Sequence, residues 1–553
     1  MKFVKIYLSA LCSFFVILSI YGLCLNYSPI PYWDMWNGDL IFYKNFLNGE
    51  YKELFYQHNQ HRIVFTRLLF LIDNYLFTGS FKFLLIANIF LILITVLIFI
   101  YIQRSLIINK FSRFIIACLT ISFMFSWMQS ENITWPFQSQ FFAAFLFPLL
   151  SFYLAFKSSV NSSKTIFIFS ILFTILSIGT MANGVLAVPI AIFLLYLSGA
   201  GKMRLIIFSS LTLGILAIHV YFYVSPLFHN SIFPGINKES LNALLFFFAY
   251  LGSPIFYIFK NPNFALLSGI LFVITYLFFF YRYVIKIKDN GMILVLLSLI
   301  AYVIFTALLT SFGRSSSGIL SAFASRYTTA SIIGWISLFT IIFLFVNSNF
   351  YTKIYQSLCI VLMTLLIPVQ MTSILSVRES LYERYISVLA LKLNVNDDFY
   401  LLKIFPYTDW LKSMSKDLIH ARSGIFSTNF FLNTDSLVNV HDKPVSNNEI
   451  DNFKSVPGYV DRIDIINDDP NYNRIYGWML PVSLDMAIEK IYIIDQNDKI
   501  VGLVFSGSNR PDVKNVHGDV ALYAGFSGYI LKSASSKDII FVNLNSKTKF
   551  LYR

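Results

Sequence analysis

Apolar runs about as long as a bilayer is thick recur along this chain, and such a run is about 20 residues as a helix. Twelve can be marked, near 6–25, 82–103, 112–128, 140–157, 164–181, 184–199, 205–224, 241–259, 264–281, 292–312, 328–347 and 354–375. Of the 553 residues only 13% are charged and 57% are hydrophobic, whereas soluble proteins carry about 25% charged residues. So little charge cannot cover a water-facing surface, and the apolar side chains must face lipid. The net charge of +13 raises nucleic acid as a partner. The Lys and Arg residues, however, cluster in short loops between apolar runs and form no stripe interleaved with exposed aromatics. Membrane lipids, not nucleic acid, are the expected surroundings. The cysteines Cys12, Cys24, Cys118 and Cys359 all lie inside apolar runs and form no CxxC pair, so they read as packing residues. The basic start followed by an apolar run to Leu25 lacks a small-x-small cleavage site, and Leu23 precedes Cys24. It reads as an uncleaved first helix with its basic end inside.

Charge decides which runs cross. Arg104, Lys110 and Arg113, then Lys157 and Lys164, then Lys202 and Arg204, then Arg282, Lys286 and Lys288, and finally Lys353 mark inside loops. If all twelve runs crossed, the basic loop at 282–290 would fall outside. The run 241–259 contains Gly252-Ser253-Pro254 and ends at Asn261-Pro262-Asn263, so it is the expected exception, re-entrant or interfacial. About eleven crossings place the N-terminus inside and everything after 376 outside. The outer face then holds 26–80, 129–139, the turn at 182–184, 225–240 and 313–327.

The fold class expected is a polytopic α-helical membrane body over 1–375 with a large first outer loop at 26–80. A mixed connector, 376–454, with an amphipathic helix near 379–394, leads to an extracytoplasmic β-sandwich-like domain over 455–553. Tyr459–Ile466 and Lys490–Ile494 alternate as strands do. Gln496-Asn497-Asp498 is a turn before Ile500–Phe505, and Asp538–Leu544 with Phe550–Tyr552 reads as a hairpin.

The outer loops hold the residues with chemistry. Asp34 follows helix one in Pro31-Tyr32-Trp33-Asp34-Met35-Trp36. A carboxylate at a membrane surface among aromatic rings suits a general base beside a sugar. The plainer reading is an interfacial aromatic belt with an acidic helix cap. In Gln57-His58-Asn59-Gln60-His61-Arg62, His58 and His61 share one face if the segment is helical, and Arg62 offers a planar fork of donors to a phosphate. Two histidines leave a divalent metal open without establishing one. The loop Gln129–Gln140 is rich in amides, Asn132 and Gln138 among them, with Glu131 and Trp135. In Ser325-Arg326-Tyr327, Arg326 opens a helix at headgroup depth, where a cation needs an anionic partner such as a lipid phosphate. No Walker loop, GxSxG or zinc-ligand cluster is present, which argues against an ATP-driven pump or a serine hydrolase.

These features resemble the GT-C glycosyltransferases, and a branch that decorates bacterial surface polysaccharides in particular. The carriers of the resemblance are the acid just after helix one, the motifs Tyr32-Trp33-Asp34, Gln57-His58-Asn59-Gln60-His61-Arg62 and Ser325-Arg326-Tyr327, and the many-helix body with an outer C-terminal domain. The resemblance implies transfer of a sugar from a polyprenyl-phosphate carrier to a surface-glycan or lipid-linked acceptor, with inversion, at the outer face of a bacterial inner membrane. It implies Asp34 as base. Family members often carry a second acid in the first loop; here Asp39 stands at a different spacing, and Glu131 is the other candidate. His58, His61, Arg62, Arg326, Asn132 and Gln138 would bind donor phosphate or acceptor, and Trp33, Trp36 and Trp135 would stack on sugars. Tyr476-Gly477-Trp478, Arg510-Pro511-Asp512-Val513 and Gly525-Phe526 resemble a small β domain appended to some surface-glycan enzymes. A flippase for lipid-linked glycans, or a glycan polymerase or ligase, would use the same kinds of residue.

Overall fold

Helices dominate the first two thirds of the chain because long apolar stretches must satisfy every backbone group internally when no water is at hand. A computed structural model describes residues 2–552 apart from 225–237, 288–290, 347, 423, 433–449, 482–487, 497–498 and 535–537. The expected outer loop 225–240, the basic Lys288 and the turn at Gln496-Asn497-Asp498 therefore lie largely or partly outside the described residues. Backbone contacts divide the chain into two units. A helical unit comprises Met1–Cys24, Tyr51–Asp73 and Phe81–Leu375, and a mixed unit comprises Leu25–Glu50, Asn74–Ser80 and Ser376–Arg553. The segment 26–80 is thus shared between the two.

Among the described residues nine helices are long and apolar enough to cross a membrane. They are Lys2–Asn26, Lys82–Leu106, Lys110–Thr134, Pro136–Asn161, Lys202–Tyr221, Pro262–Lys286, Ile293–Ser317, Ser325–Phe345 and Asn349–Ile374. The pair Leu241–Leu251 and Ser253–Phe259, bent by 72°, makes a tenth if counted as one span. The expected count of eleven is not reproduced. Two of its runs form the shorter helices Lys164–Ile178 and Ala182–Leu197, and fifteen or sixteen residues at about 1.5 Å each fall short of a hydrocarbon core of about 30 Å. Gly184, in the first turn of the second helix, lets that turn press against the end of the first: a Cβ there would stand 1.8 Å from the Ser177 carbonyl oxygen.

The bend at Gly252-Ser253-Pro254 has a clear chemical cause. Pro254 has no amide hydrogen, which releases the Tyr250 carbonyl, and the Ile255 amide bonds to Gly252 instead, which releases Leu251. Ser331 Oγ donates to the Tyr250 carbonyl at 2.6 Å and Trp335 Nε1 to the Leu251 carbonyl at 2.9 Å, both from the helix Thr328–Phe345. Each orphaned carbonyl in such surroundings would cost several kcal/mol. Gly252 admits the next helix: a Cβ there would lie 1.8 Å from the Ala265 carbonyl oxygen. Polar side chains also tie helices together elsewhere. Gln370 donates to Ser19 Oγ at 2.9 Å and accepts from the Trp127 amide at 2.9 Å.

In the mixed unit eight strands form one sheet. They are β1 (Lys454–Ser455), β2 (Gly458–Ile465), β3 (Tyr472–Met479), β4 (Lys490–Ile494), β5 (Ile500–Ser508), β6 (Gly525–Leu531), β7 (Ile539–Asn543) and β8 (Thr548–Tyr552). Their order is β1-β8-β7-β4-β5-β6-β3-β2. All neighbours are antiparallel except β1 and β8. This corrects the expected sandwich: there is one curled sheet, a half-barrel. Its first and last strands in the order, β1 and β2, are joined by Val456-Pro457, so one stretch of chain bonds to β8 at one end and to β3 at the other. Val460, Ile475, Ile491, Val504, Phe526, Ile530 and Phe541 fill the inner face. The expected amphipathic helix is Arg378–Leu393.

Candidate functional site

In the helical unit the richest polar cluster forms where two helix ends meet. Beyond the helix Lys110–Met124 the chain passes through three short turns, Trp127–Gln129, capped by the Ser126 hydroxyl on the Met128 amide, then Ser130–Thr134, and Pro136–Gln138, which Pro136 opens. They lie against the turn Ser325–Tyr327 that opens the helix Thr328–Phe345. Ser325 Oγ donates to the Met128 carbonyl at 2.9 Å and accepts from the Glu131 amide at 3.1 Å. Asn132 Nδ2 donates to the Arg326 carbonyl at 2.9 Å and to Thr329 Oγ1 at 2.8 Å. Thr329 Oγ1 in turn donates to Gln129 Oε1 at 2.6 Å.

This lattice presents an ion pair. Arg326 Nη1 donates to Glu131 Oε1 at 3.0 Å, with the two side chains 40% and 28% exposed. The anionic partner expected for Arg326 is thus supplied within the chain by Glu131. The guanidinium carbon also stands 5.4 Å from the centre of the Tyr327 ring, so the cation is held between a carboxylate and an aromatic ring.

Beneath the pair lie amides with bonding capacity left over. Asn88, Asn132 and Gln138 are fully buried. Asn88 Nδ2 donates to the Trp135 carbonyl at 3.2 Å. Asn88 Oδ1, Asn132 Oδ1, Gln140 Oε1 and both polar atoms of Gln138 make no hydrogen bond among the described residues. Buried polar groups are nearly always satisfied, and each exception calls for a reason. A hydroxyl-rich ligand is such a reason. The sequence reading does not single out Asn88; the signal is an amide in mid-run, between Ala87 and Ile89 of the apolar run 82–103. The Trp135 ring stacks on Phe137 at 5.7 Å.

The histidine segment is not helical, which corrects the shared-face reading. His58 and His61 exchange backbone hydrogen bonds of 2.7 and 2.9 Å across a tight turn, with Asn59 at φ 51°. His61 Nδ1 accepts from the Ala182 amide at 3.1 Å, and the buried His58 ring sits 5.4 Å from Phe137. Arg62 is also committed: it donates to the His219 carbonyl at 3.2 Å and to the Phe222 carbonyl, capping the helix Lys202–Tyr221. A cation at a helix C-terminus complements the macrodipole. Among the described residues no group of three or more His, Cys, Asp or Glu is placed to hold a metal ion.

Asp34, Trp33 and Trp36 belong to the mixed unit. Asp34 is half-buried. It follows Trp33, whose φ of 51° is strained for a bulky residue, and it precedes a π-helical segment, Trp36–Ile41. Both features are uncommon and concentrate at functional sites. The Trp33 amide donates to the Ile404 carbonyl at 2.8 Å, which pins the turn. Trp33 is 44% exposed and has a face to offer. Trp36 has none: it is 0% exposed and its ring packs 6.4 Å from Phe426, which corrects the expected sugar stacking. Asp39 is buried and accepts from Asn74 Nδ2 at 2.7 Å, a structural role.

Compared with known proteins, the chain matches no family model, no curated protein and no solved structure.

Proposed function

We propose that this protein is a membrane glycosyltransferase that takes a sugar from a polyprenyl-phosphate carrier and delivers it to a surface-glycan or lipid-linked acceptor, as the resemblance to GT-C enzymes implies. The observation that carries the reading is the polar end of the apolar helical unit. Buried amides with unfilled capacity, Asn88 and Asn132, are bonded to one another's segments and to the backbone that carries the Arg326 guanidinium. Hydroxyls suit the first and a phosphate the second. In the reaction proposed, Asp34 accepts the proton of the acceptor hydroxyl. That oxygen bonds to the anomeric carbon, the anomeric carbon–oxygen bond to phosphate breaks, and the electron pair leaves on the lipid phosphate. A cation beside the lipid phosphate stabilises that departing charge, a type of contribution worth about 10²–10³ in rate. Placement of the N-terminus inside and the C-terminal region outside a bacterial inner membrane belongs to the same proposal and is supported by the basic loops at 104–113, 157–164 and 202–204.

The test is transfer by the purified protein in detergent. Polyprenyl-phosphate sugars and candidate acceptors are supplied, and wild type is compared with Asp34→Ala. Transfer that depends on Asp34 supports the reading; transfer that survives its removal counts against Asp34 as base.

A further inference from the structure

Arg384 lies in the helix Arg378–Leu393 of the mixed unit, and nothing in the proposed reaction uses it. Its guanidinium stands over the ring of Tyr32, 4.1 Å from the centroid. Its Nε is buried and makes no hydrogen bond among the described residues. The adjacent carboxylate, Glu383, is taken by Lys403 at 3.2 Å. Three other arginines of this unit are paired with acids. Arg474 bonds Asp397 at 2.7 Å, Arg510 bonds Asp461 and Asp512 at 2.5 and 2.7 Å, and Arg462 faces Asp464 at 3.2 Å.

An arginine cannot shed its proton to escape burial. A desolvated guanidinium with no acid beside it is costly, and an oxyanion is what relieves the cost. The Tyr32 ring covers one side of the guanidinium, whose planar fork of donors can meet two oxygens of the same group. Tyr32 is two residues from Asp34, in the turn held by the Trp33–Ile404 bond.

We infer that Arg384, stacked on Tyr32, is an oxyanion seat for a phosphate ester at the turn that carries Asp34. The inference rests on the reading of that turn as functional, and it gives the helix after the membrane body a part in binding. A guanidinium fork favours a phosphate oxygen face over a lone carbonyl, since it is matched two donors to two acceptors.

The test uses the full chain in nanodiscs of zwitterionic lipid. Binding of a short-chain prenyl phosphate and of inorganic phosphate is measured by calorimetry, and anionic phosphatidylglycerol discs form a third arm. Arg384→Met should weaken binding roughly tenfold or more, as loss of a charge-assisted pair does, and Arg384→Lys should fall between. In parallel, wild-type protein is treated with phenylglyoxal and Arg384 modification is followed by mass spectrometry. Prenyl phosphate should protect it. Equal protection by inorganic phosphate would identify a free phosphate as the ligand, and protection only in anionic discs would identify a headgroup. Unaltered binding in Arg384→Met, or no protection by any of the three, overturns the inference. Binding through Arg384 by a protein that transfers no sugar would sink only the transferase reading. Transfer with unchanged KM in Arg384→Met would sink only this one.

Discussion

Glu131 and Arg326 are 195 residues apart in the chain and 3.0 Å apart in the fold. Each is held by the other's segment, Glu131 through Ser325 at its amide and Arg326 through Asn132 at its carbonyl. The pair is part exposed, and pairs of that kind contribute roughly 0–1 kcal/mol to stability. Glu131→Gln and Arg326→Gln should therefore leave the unfolding temperature within a few degrees of wild type. Sugar transfer by Arg326→Gln should drop by roughly 10²-fold. The check is thermal unfolding and transfer rate on the same preparations. Loss of activity only in step with loss of stability would contradict a functional role for the pair.

Ser325 is a different case. Its hydroxyl serves the Met128 carbonyl and the Glu131 amide at once. Ser325→Ala leaves both without that partner, at roughly 1–3 kcal/mol. Lower unfolding temperature is expected, together with weaker transfer because the ion pair loses its scaffold. Stability equal to wild type would show that the two segments are held by other contacts.

The bend at Gly252-Ser253-Pro254 depends on Trp335. Trp335→Phe keeps most of the ring but withdraws the donor to the Leu251 carbonyl. It should lower the unfolding temperature by an amount matching roughly 1–3 kcal/mol. Gly252→Ala should be worse, because the added Cβ meets a backbone carbonyl and no flexible side chain can yield. Yield of monodisperse protein in detergent reads out both.

Asp73 gives a pH signature. It is fully buried; its Oδ2 accepts from the Phe81 amide at 3.0 Å, and its Oδ1 has no partner among the described residues. Burial pushes its carboxyl up to about 6 from 3.8, against the backbone donors that pull it down. A raised folded value means the folded state holds the proton more tightly than the unfolded one. Stability from this group is full below about pH 4 and falls as pH rises towards about 6, by on the order of 2–3 kcal/mol. Asp73→Asn keeps an acceptor and cannot ionise. The variant should lose this slope and unfold later than wild type at pH 8; identical pH profiles for the two would refute the assignment.

Much of this architecture was legible in the sequence. The apolar runs gave the long helices, alternation gave β2 and β4, and turn and hairpin signals gave β5, β7 and β8. Strands β3 and β6 were not read, because Tyr472–Met479 and Gly525–Leu531 mix glycines with polar and aromatic residues. Gly477 and Gly528 are needed there for close backbone approach, a requirement set by neighbouring strands and invisible locally. A list of strands also says nothing of whether they stack as two sheets or curl as one. His58 and His61 were misplaced because an i,i+3 spacing fits a helix and a tight turn alike, and Asn59 in the left-handed region decides for the turn. Trp36 belongs to an aromatic cluster whose members sequence could not sort into exposed and buried. Arg384 was passed over because a charged residue on an amphipathic helix normally faces water.

Phosphorus NMR on polyprenyl-phosphate sugars offers the shortest route to the central claim. The donor is a phosphodiester and the released carrier a phosphomonoester, so their signals separate. With purified wild type and an extract containing surface-glycan acceptors, the diester signal of one donor in a panel should convert to monoester, and Asp34→Ala should stop the conversion. A full panel of donors left unchanged, while the same protein in liposomes moves labelled lipid-linked sugar between leaflets, would contradict the account and identify a carrier instead of a transferase.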